Sequence, residues 1–251
     1  MRLNPLILGG TTEATALCNA MATAGLPGTV SLAGRVNRPI RQPLAQRVGG
    51  FGGAEGLAQH IRDHEISHLI DATHPFAAQM SHNAALAAQI TGTPLIALTR
   101  APWQAGAGDR WTHVPDIAGA VDALQGPRER VLLAVGRMHL AQFAPNPQHF
   151  YLLRLIDAPD VQPPFPDHVV VLDRGPFTQA GDQDLMRQHG ITRVVSKNSG
   201  GTGAQAKLLA ARALGVEVIM IDRPALPPRR EAHDVATVLD WLGHGRTDLG
   251  V

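Results

Sequence analysis

This sequence of 251 residues has little of what most quickly places a protein. It contains one cysteine, Cys18, which excludes an intramolecular disulfide. Set among Ala and Leu in a helical pattern, that thiol reads as a buried structural group rather than a nucleophile. Neither sign of charge dominates, with 22 basic against 21 acidic residues, so nothing points to a nucleic-acid or membrane partner. No run approaches the length of a membrane span, and the first residues lack a basic stretch followed by a long apolar one. A soluble, cytoplasmic protein is the expectation. Aromatic residues are only 4% of the chain, while Ala, Gly and Pro abound, which suits short strands, Ala-packed helices and many loops.

Missing motifs narrow the chemistry. The single tyrosine, Tyr151, is followed by Leu152-Leu153-Arg154-Leu155, so the Tyr-x-x-x-Lys pair of short-chain dehydrogenases is absent. The 12 histidines form no H-E-x-x-H and no close Cys/His set, and no metal is expected. Without a G-x-S-x-G elbow, an α/β-hydrolase is disfavoured.

What is present is strand, turn and helix in alternation. Apolar runs at 6–8, 29–32, 68–71 and 95–98 alternate with helical patterns near 12–24, 54–64, 75–91 and 116–124. After Gln125-Gly126-Pro127 the pattern restarts. Strands are read at 131–135, 151–156, 169–172, 193–195 and 216–221, with helices near 179–189, 203–214 and 232–242. Such alternation means βαβ units and parallel sheets. The expectation is therefore two Rossmann-like α/β domains, residues 1–126 and 127–251, each a parallel sheet flanked by helices, with a ligand cleft between them. Gly49-Gly50-Phe51-Gly52-Gly53 reads as a hinge-like loop.

The first strand runs into Gly9-Gly10-Thr11-Thr12-Glu13-Ala14. A strand, tight turn and helix start aim backbone N–H groups at a phosphate. Against G-x-G-x-x-G/A, Thr11 replaces the second glycine, and a plain capped turn is the competing reading. About twenty residues on, the second strand ends in Ser31-Leu32-Ala33-Gly34-Arg35. An Arg there, where NAD-dependent proteins carry an acid, accommodates an adenosine 2′-phosphate. Gly9, Gly10, Thr11, Thr12 and Glu13 are thus candidates for the pyrophosphate, and Ser31, Gly34 and Arg35 for the 2′-phosphate of NADP.

Two further strand-end loops carry chemistry. In Asp71-Ala72-Thr73-His74-Pro75, Pro75 is expected at the first turn of a helix capped by Thr73 or His74; Thr73, His74 and Pro75 are placed near a nicotinamide. In the second half, Ser196-Lys197-Asn198-Ser199-Gly200-Gly201 combines a cation, hydrogen-bonding side chains and glycines before a helix, a composition suited to an anion. Arg137 and Arg174 follow other strands of that half, and Arg154 joins them if its strand points it inward. Cations converging at strand ends imply a polyanionic ligand.

These motifs, from Leu6 to about Pro227, stand in the order found in precorrin-6A reductases of cobalamin biosynthesis, and the sequence resembles that family. Asp-Ala-Thr-His-Pro-Phe-Ala together with Ser-Lys-Asn-Ser-Gly-Gly carries most of the likeness. The resemblance implies NADPH-dependent reduction of a double bond in precorrin-6A, giving dihydro-precorrin-6, with no flavin or metal. It also implies a tetrapyrrole substrate whose carboxylates meet Arg137, Arg174, Ser196, Lys197, Asn198, Ser199, Gly200 and Gly201, although the 196–201 loop could instead reach the cofactor. His74 is the one candidate proton donor, with water or a substrate carboxyl as alternatives. The anaerobic-branch cobalt-precorrin-6A reductase and a non-catalytic NADP/tetrapyrrole-binding protein are the other readings. A monomer or small homo-oligomer is expected.

Overall fold

The computed structural model describes residues 2–34, 41–159, 161–173 and 175–244. In chain order the elements are β1 (Pro5–Leu8), α1 (Thr12–Thr23), β2 (Thr29–Leu32), β3 (Ala45–Val48), α2 (Gly53–Asp63), β4 (His68–Asp71), α3 (Ala78–Thr91) and β5 (Leu95–Leu98). Then come β6 (Trp111–Val114), α4 (Ile117–Asp122), β7 (Arg130–Ala134), a 3₁₀ turn (Arg137–Phe143), β8 (Phe150–Leu155) and β9 (His168–Leu172). The last are α5 (Gln179–Gln188), β10 (Arg193–Lys197), α6 (Ala206–Leu214), β11 (Glu217–Ile221), β12 (Arg230–Ala232) and α7 (Val235–His244).

Two six-stranded sheets result, ordered β12-β5-β4-β1-β2-β3 and β6-β11-β10-β7-β8-β9. Every pairing in both is parallel. The expected architecture of parallel sheets flanked by helices is what the chain adopts. The expected boundary is not. One unit comprises Met1–Arg100 with Ala225–Val251, and the other Ala101–Pro224. Gln125-Gly126-Pro127 is a loop between α4 and β7, inside the second unit.

The reason lies in the sixth place of each sheet. In the first unit β1 to β5 take the order 3-2-1-4-5 of the dinucleotide-binding fold, and β12 pairs with β5 through Arg230↔Ile96 and Ala232↔Leu98. In the second, β7 to β11 repeat that order and β6 pairs with β11. The strand that follows the first five and the strand that ends the chain have exchanged sheets. Each is followed by an Asp-capped segment: Asp116 accepts from the Gly119 N–H, and Asp234 from the Thr237 N–H.

Successive strand residues face opposite sides, and in the first unit the core divides accordingly. Ile7 packs with Leu17, Cys18 and Met21 of α1 and with Val238 and Leu242 of α7. Leu6 and Leu8 pack with Leu57 and Ile61 of α2 and with the alanines of α3. Burial pushes the Cys18 thiol up to about 11, so it stays protonated and inert, as its setting in the sequence suggested. In the second unit α5 and α6 bury Met186, Leu208 and Ala211 against Leu132, Leu152 and Val218. Among the described residues no helix is long and apolar enough to cross a membrane.

Leu242 is 1% exposed in the core of the first unit. Leu242→Ala should cost about 2–5 kcal/mol. Hydrogen exchange should speed up in β1 and β5 while β7 to β11 stay protected; loosening of β7 to β11 instead would contradict the exchanged topology.

Candidate functional site

The order of the first sheet reverses at β1, between β2 and β4, so the loops after β1 and β4 leave the sheet side by side. Open α/β sheets bind ligands at the carboxyl ends of strands at such a switch point. Gly9 is needed there by packing: a Cβ would lie 2.8 Å from Val30 Cγ2 and 3.3 Å from Leu32 Cδ2. Gly10 is needed by conformation, with φ of +115° and open space around it. Ala14, in the place of the third glycine, is buried against Gly9.

Thr11 caps α1 by accepting the Ala14 N–H at 3.1 Å, and its hydroxyl donates to the Ala72 carbonyl at 2.8 Å. That hydroxyl is spent on joining the two loops, so any part of Thr11 in a pyrophosphate site falls to its backbone N–H. The turn can offer backbone N–H groups, because the first turn of a helix has no intrahelical acceptors. Glu13 lies in this first turn, paired with Arg100 at 2.8 Å. The pair keeps its carboxylate from opposing an anion at the helix end. The residues therefore fit a pyrophosphate.

At the end of β2, Ser31 is buried and its hydroxyl accepts from Arg47 Nη1 at 2.7 Å. The Arg47 guanidinium also donates to the carbonyls of Gly49 and Gly50 and lies 3.9 Å from the centre of the Phe51 ring. Gly34 has φ of +73° and faces Val48. Arg35 lies outside the described residues, and so does Arg174. Arg47 escaped the sequence reading because β3 is an edge strand with the exposure of a loop. Its one signal was an Arg two residues before a run of glycines.

After β4 stands a buried carboxylate, 3% exposed, with four donors. Asp71 accepts the Thr73 N–H at 3.1 Å, the Thr73 hydroxyl at 2.6 Å, the Ser81 hydroxyl at 2.6 Å and Arg229 Nη1 at 2.6 Å. Neither Thr73 nor His74 caps the helix, and Pro75 is not in its first turn. Pro75 and Phe76 form a turn, and α3 begins at Ala78 behind Ala77, which makes no side-chain cap. An extra turn intervenes because the Thr73 hydroxyl is drawn to Asp71 rather than to the helix end. His74 is half-buried, and its Nδ1 accepts the Phe76 N–H at 3.2 Å. In the neutral ring the proton is thus on Nε2. Arg229 was missed because its partner lies 158 residues away.

In the second unit the loop after β10 is held from inside the fold. Both ends of the Asn198 amide are engaged by Trp103, Oδ1 accepting its N–H at 2.8 Å and Nδ2 donating to its carbonyl at 3.0 Å. The Trp103 indole donates to the Gly201 carbonyl at 2.7 Å, and Arg223 donates to the carbonyls of Asn198 and Ser199. Gly200 has φ of +70° and sits where a Cβ would meet the Ala101 carbonyl at 2.2 Å. The Ser196 hydroxyl is fully buried and donates to the Lys197 carbonyl. Two expectations are therefore corrected: the side chains of Asn198 and Ser196 support the loop instead of lining an anion site.

Lys197 remains half-exposed, and burial pulls its amine down to about 8. Lys207 on α6 is buried outright, donating to the Ala204 carbonyl at 2.6 Å beneath the Trp103 ring. Burial, aided by nearby Arg154, lowers it to about 7. Arg137 is exposed just after β7. Arg154 is not a further cation for a ligand, because its guanidinium is buried in an ion pair with Asp182 and lies 3.8 Å from the Phe177 ring centre. Among the described residues no group of three His, Cys, Asp or Glu is placed to hold a metal.

The model of the precorrin-6x reductase CbiJ/CobK family matches residues 5–243. The chain belongs to that family. A precorrin-6A reductase of Rhodobacter capsulatus is 54% identical over 98% of this chain and 98% of its own. One from a Sinorhizobium species is 49% identical over 93% of this chain and 87% of its own. A solved structure of CobK precorrin-6A reductase superposes with a TM-score of 0.92 at 54% identity, covering 99% of this chain and 100% of that one. Family membership makes the chain a reductase.

Breaking a buried ion pair by removing one partner costs about 3–5 kcal/mol. Arg229→Ala should destabilise the protein by that amount in denaturant titration, while Arg187→Ala, which breaks the exposed pair with Asp184, should change it by less than about 1 kcal/mol. Equal effects would show that Asp71 does not need its guanidinium.

Proposed function

We propose that this chain reduces one carbon–carbon double bond of precorrin-6A with NADPH. The observation that carries the reading is the Gly9-Gly10-Thr11 turn, set at the switch point of a parallel sheet in a member of the precorrin-6x reductase family. The backbone N–H groups from Gly10 to Glu13 and the positive end of α1 hold the pyrophosphate. Ser31, Gly34 and Arg35 recognise the adenosine 2′-phosphate, and Arg47, already bonded to Ser31, adds a second guanidinium beside it. When bound, NADPH supplies a hydride to one carbon of the double bond.

Thr73, His74 and Pro75 flank the nicotinamide end. The Asp71 network fixes their backbone, so the residues act by orienting and excluding water. His74 holds a proton at Nε2 and is the protein's own candidate to deliver it to the second carbon. The substrate is a flat apolar ring fringed with acetate and propionate groups. Arg137, Arg174, Lys197 and the N–H groups of the Ser199–Gly201 turn receive those carboxylates. The buried partners of Asn198 and Gly201 keep that turn in shape without a ligand, which supports a substrate role for a loop formed in advance.

Arg35→Ala should raise the KM for NADPH while leaving NADH use nearly unchanged, since losing a charged hydrogen-bond partner of a phosphate costs about 1.5–3 kcal/mol. Arg47→Ala should act in the same direction. Equal effects on both cofactors would refute the 2′-phosphate assignment.

Burial pulls the Lys197 amine down to about 8, so it is mostly charged near pH 7 and its pull on carboxylates fades as pH rises through 8. The KM for the precorrin should therefore climb between pH 7 and 9. Lys197→Arg, whose guanidinium stays charged, should flatten that climb; an unaltered slope would remove Lys197 from the substrate site.

A further inference from the structure

The carboxyl edge of the second sheet exposes large apolar side chains where the first sheet keeps most of its own covered. Met138 is 63% exposed just after β7, Ile156 58% just after β8, and Leu172 57% at the end of β9. β7 and β8 bury Leu132, Leu133, Leu152, Leu153 and Leu155 at 5% or less, while β9, at the edge of the sheet, is half-buried along most of its length. Exposure at Met138 and Ile156 is therefore a property of the strand ends and not of loosely packed strands. Single exposed hydrophobics are ordinary, but a contiguous group marks a binding surface.

Topology sets the three positions side by side along that edge. β7, β8 and β9 are neighbours in that order, with Leu133 paired to Leu153 and Leu155 to Leu172. Ile156 lies one residue beyond the last of these pairs, and Met138 stands in the turn that leaves the next strand. Neighbouring strands run about 4.8 Å apart, so the three positions span roughly the width of two strand spacings. On the other side of β7 lies β10, which ends in Lys197. Arg137 stands between, exposed beside Met138. The edge thus grades from cations at β10 and β7 to apolar side chains at β8 and β9, each followed there by a carboxylate, Asp157 and Asp173; Arg174, next in the chain, lies outside the described residues. Arg154, the one cation along the β8 stretch, is withdrawn into its buried pair with Asp182, which keeps its charge away from the apolar part.

We infer that Met138, Ile156 and Leu172 form a shelf on which the apolar face of the tetrapyrrole ring lies, with Arg137 and Lys197 taking the carboxylates at its β10 side. The inference rests on the proposed reaction and assigns it three residues that set affinity for the ring. A flat body with an acidic fringe is the ligand whose chemistry matches this gradation; a purely apolar ligand leaves the cations idle, and a small anion leaves the shelf idle.

The test uses the full chain with NADPH and precorrin-6A, following loss of NADPH absorbance. Ile156→Ser, Leu172→Ser and Met138→Ser should each raise the KM for the precorrin about fivefold to tenfold, because each removes apolar area that the ring would cover. The KM for NADPH and the thermal midpoint should not move. Leu86→Ser, which removes an exposed side chain from α3 in the other unit, is the control and should leave every constant unchanged. Wild-type turnover with unchanged precorrin KM in all three shelf variants overturns the shelf alone. Sedimentation equilibrium then reads the competing occupant: a shelf variant that dissociates an assembly while keeping its KM assigns the patch to a second copy of this chain and overturns the inference. Failure of the wild type to oxidise NADPH in the presence of the precorrin overturns the reaction on which it rests.

Discussion

A carboxylate buried at a strand end must be supplied with donors and a counter-charge, and Asp71 finds its own in a segment that has travelled through the other unit. Arg229 reaches it a few residues after the chain returns at Ala225. The second unit repeats the device with neutral groups. Asn198 stands after β10, the strand that occupies in its sheet the place β4 occupies in the first. Its amide is clamped by Trp103, two residues after the chain enters at Ala101. In each unit the loop after the fourth strand is held by the incoming segment. A buried polar group left without its partner is expensive, so these loops keep their form only while both crossings are in place. Exchange of the sixth strands is thus more than a curiosity of chain order, because it brings in the groups that stiffen the two loops.

The central strands were legible because both of their faces are covered. β2, β4 and β5 were read to the residue, since a strand packed on two sides needs a continuous apolar run. Three strands went unread: β3, β6 and β12. All three lie at sheet edges, each exposing half or more of its residues. Edge strands have no second neighbour and less to bury, so their composition looks like loop. The domain boundary failed for a related reason. Gly126-Pro127 is a genuine break in local structure, but membership of a sheet is decided by pairing across more than a hundred residues, and no local signal marks the passage from Arg100 to Ala101.

The site divided along the same line. The turn at Gly9 and Gly10 was legible because its requirements, a close approach and a positive φ, belong to the residues themselves. Thr11 and Asn198 have the right polarity for a ligand, yet each spends its side chain on a partner far along the chain, Ala72 and Trp103. Thr73 and Ser196 spend theirs on near neighbours, Asp71 and Lys197. Arg154 has the right charge, yet Asp182 consumes it. Composition counts donors. It does not tell which of them are already taken.

That distinction bears on what this fold asks of its side chains. Hydride transfer needs two carbons held at a set distance and a proton near one of them, with little for acids or bases to do. On the proposed function, the first unit would meet the phosphates with backbone N–H groups and a helix end, which cannot be titrated away and cost no side-chain ordering when a ligand arrives. The second unit holds Lys197 and Lys207 partly stripped of water, so their charge answers to pH in a range where arginine would not. Lys207 is fastened under Trp103, the same indole that fixes Gly201. A protonated amine beneath that ring draws it by cation–π attraction, and the neutral amine does not. The form of that loop therefore rests on a buried amine beneath an indole, as the form of the Asp71 loop rests on a buried guanidinium.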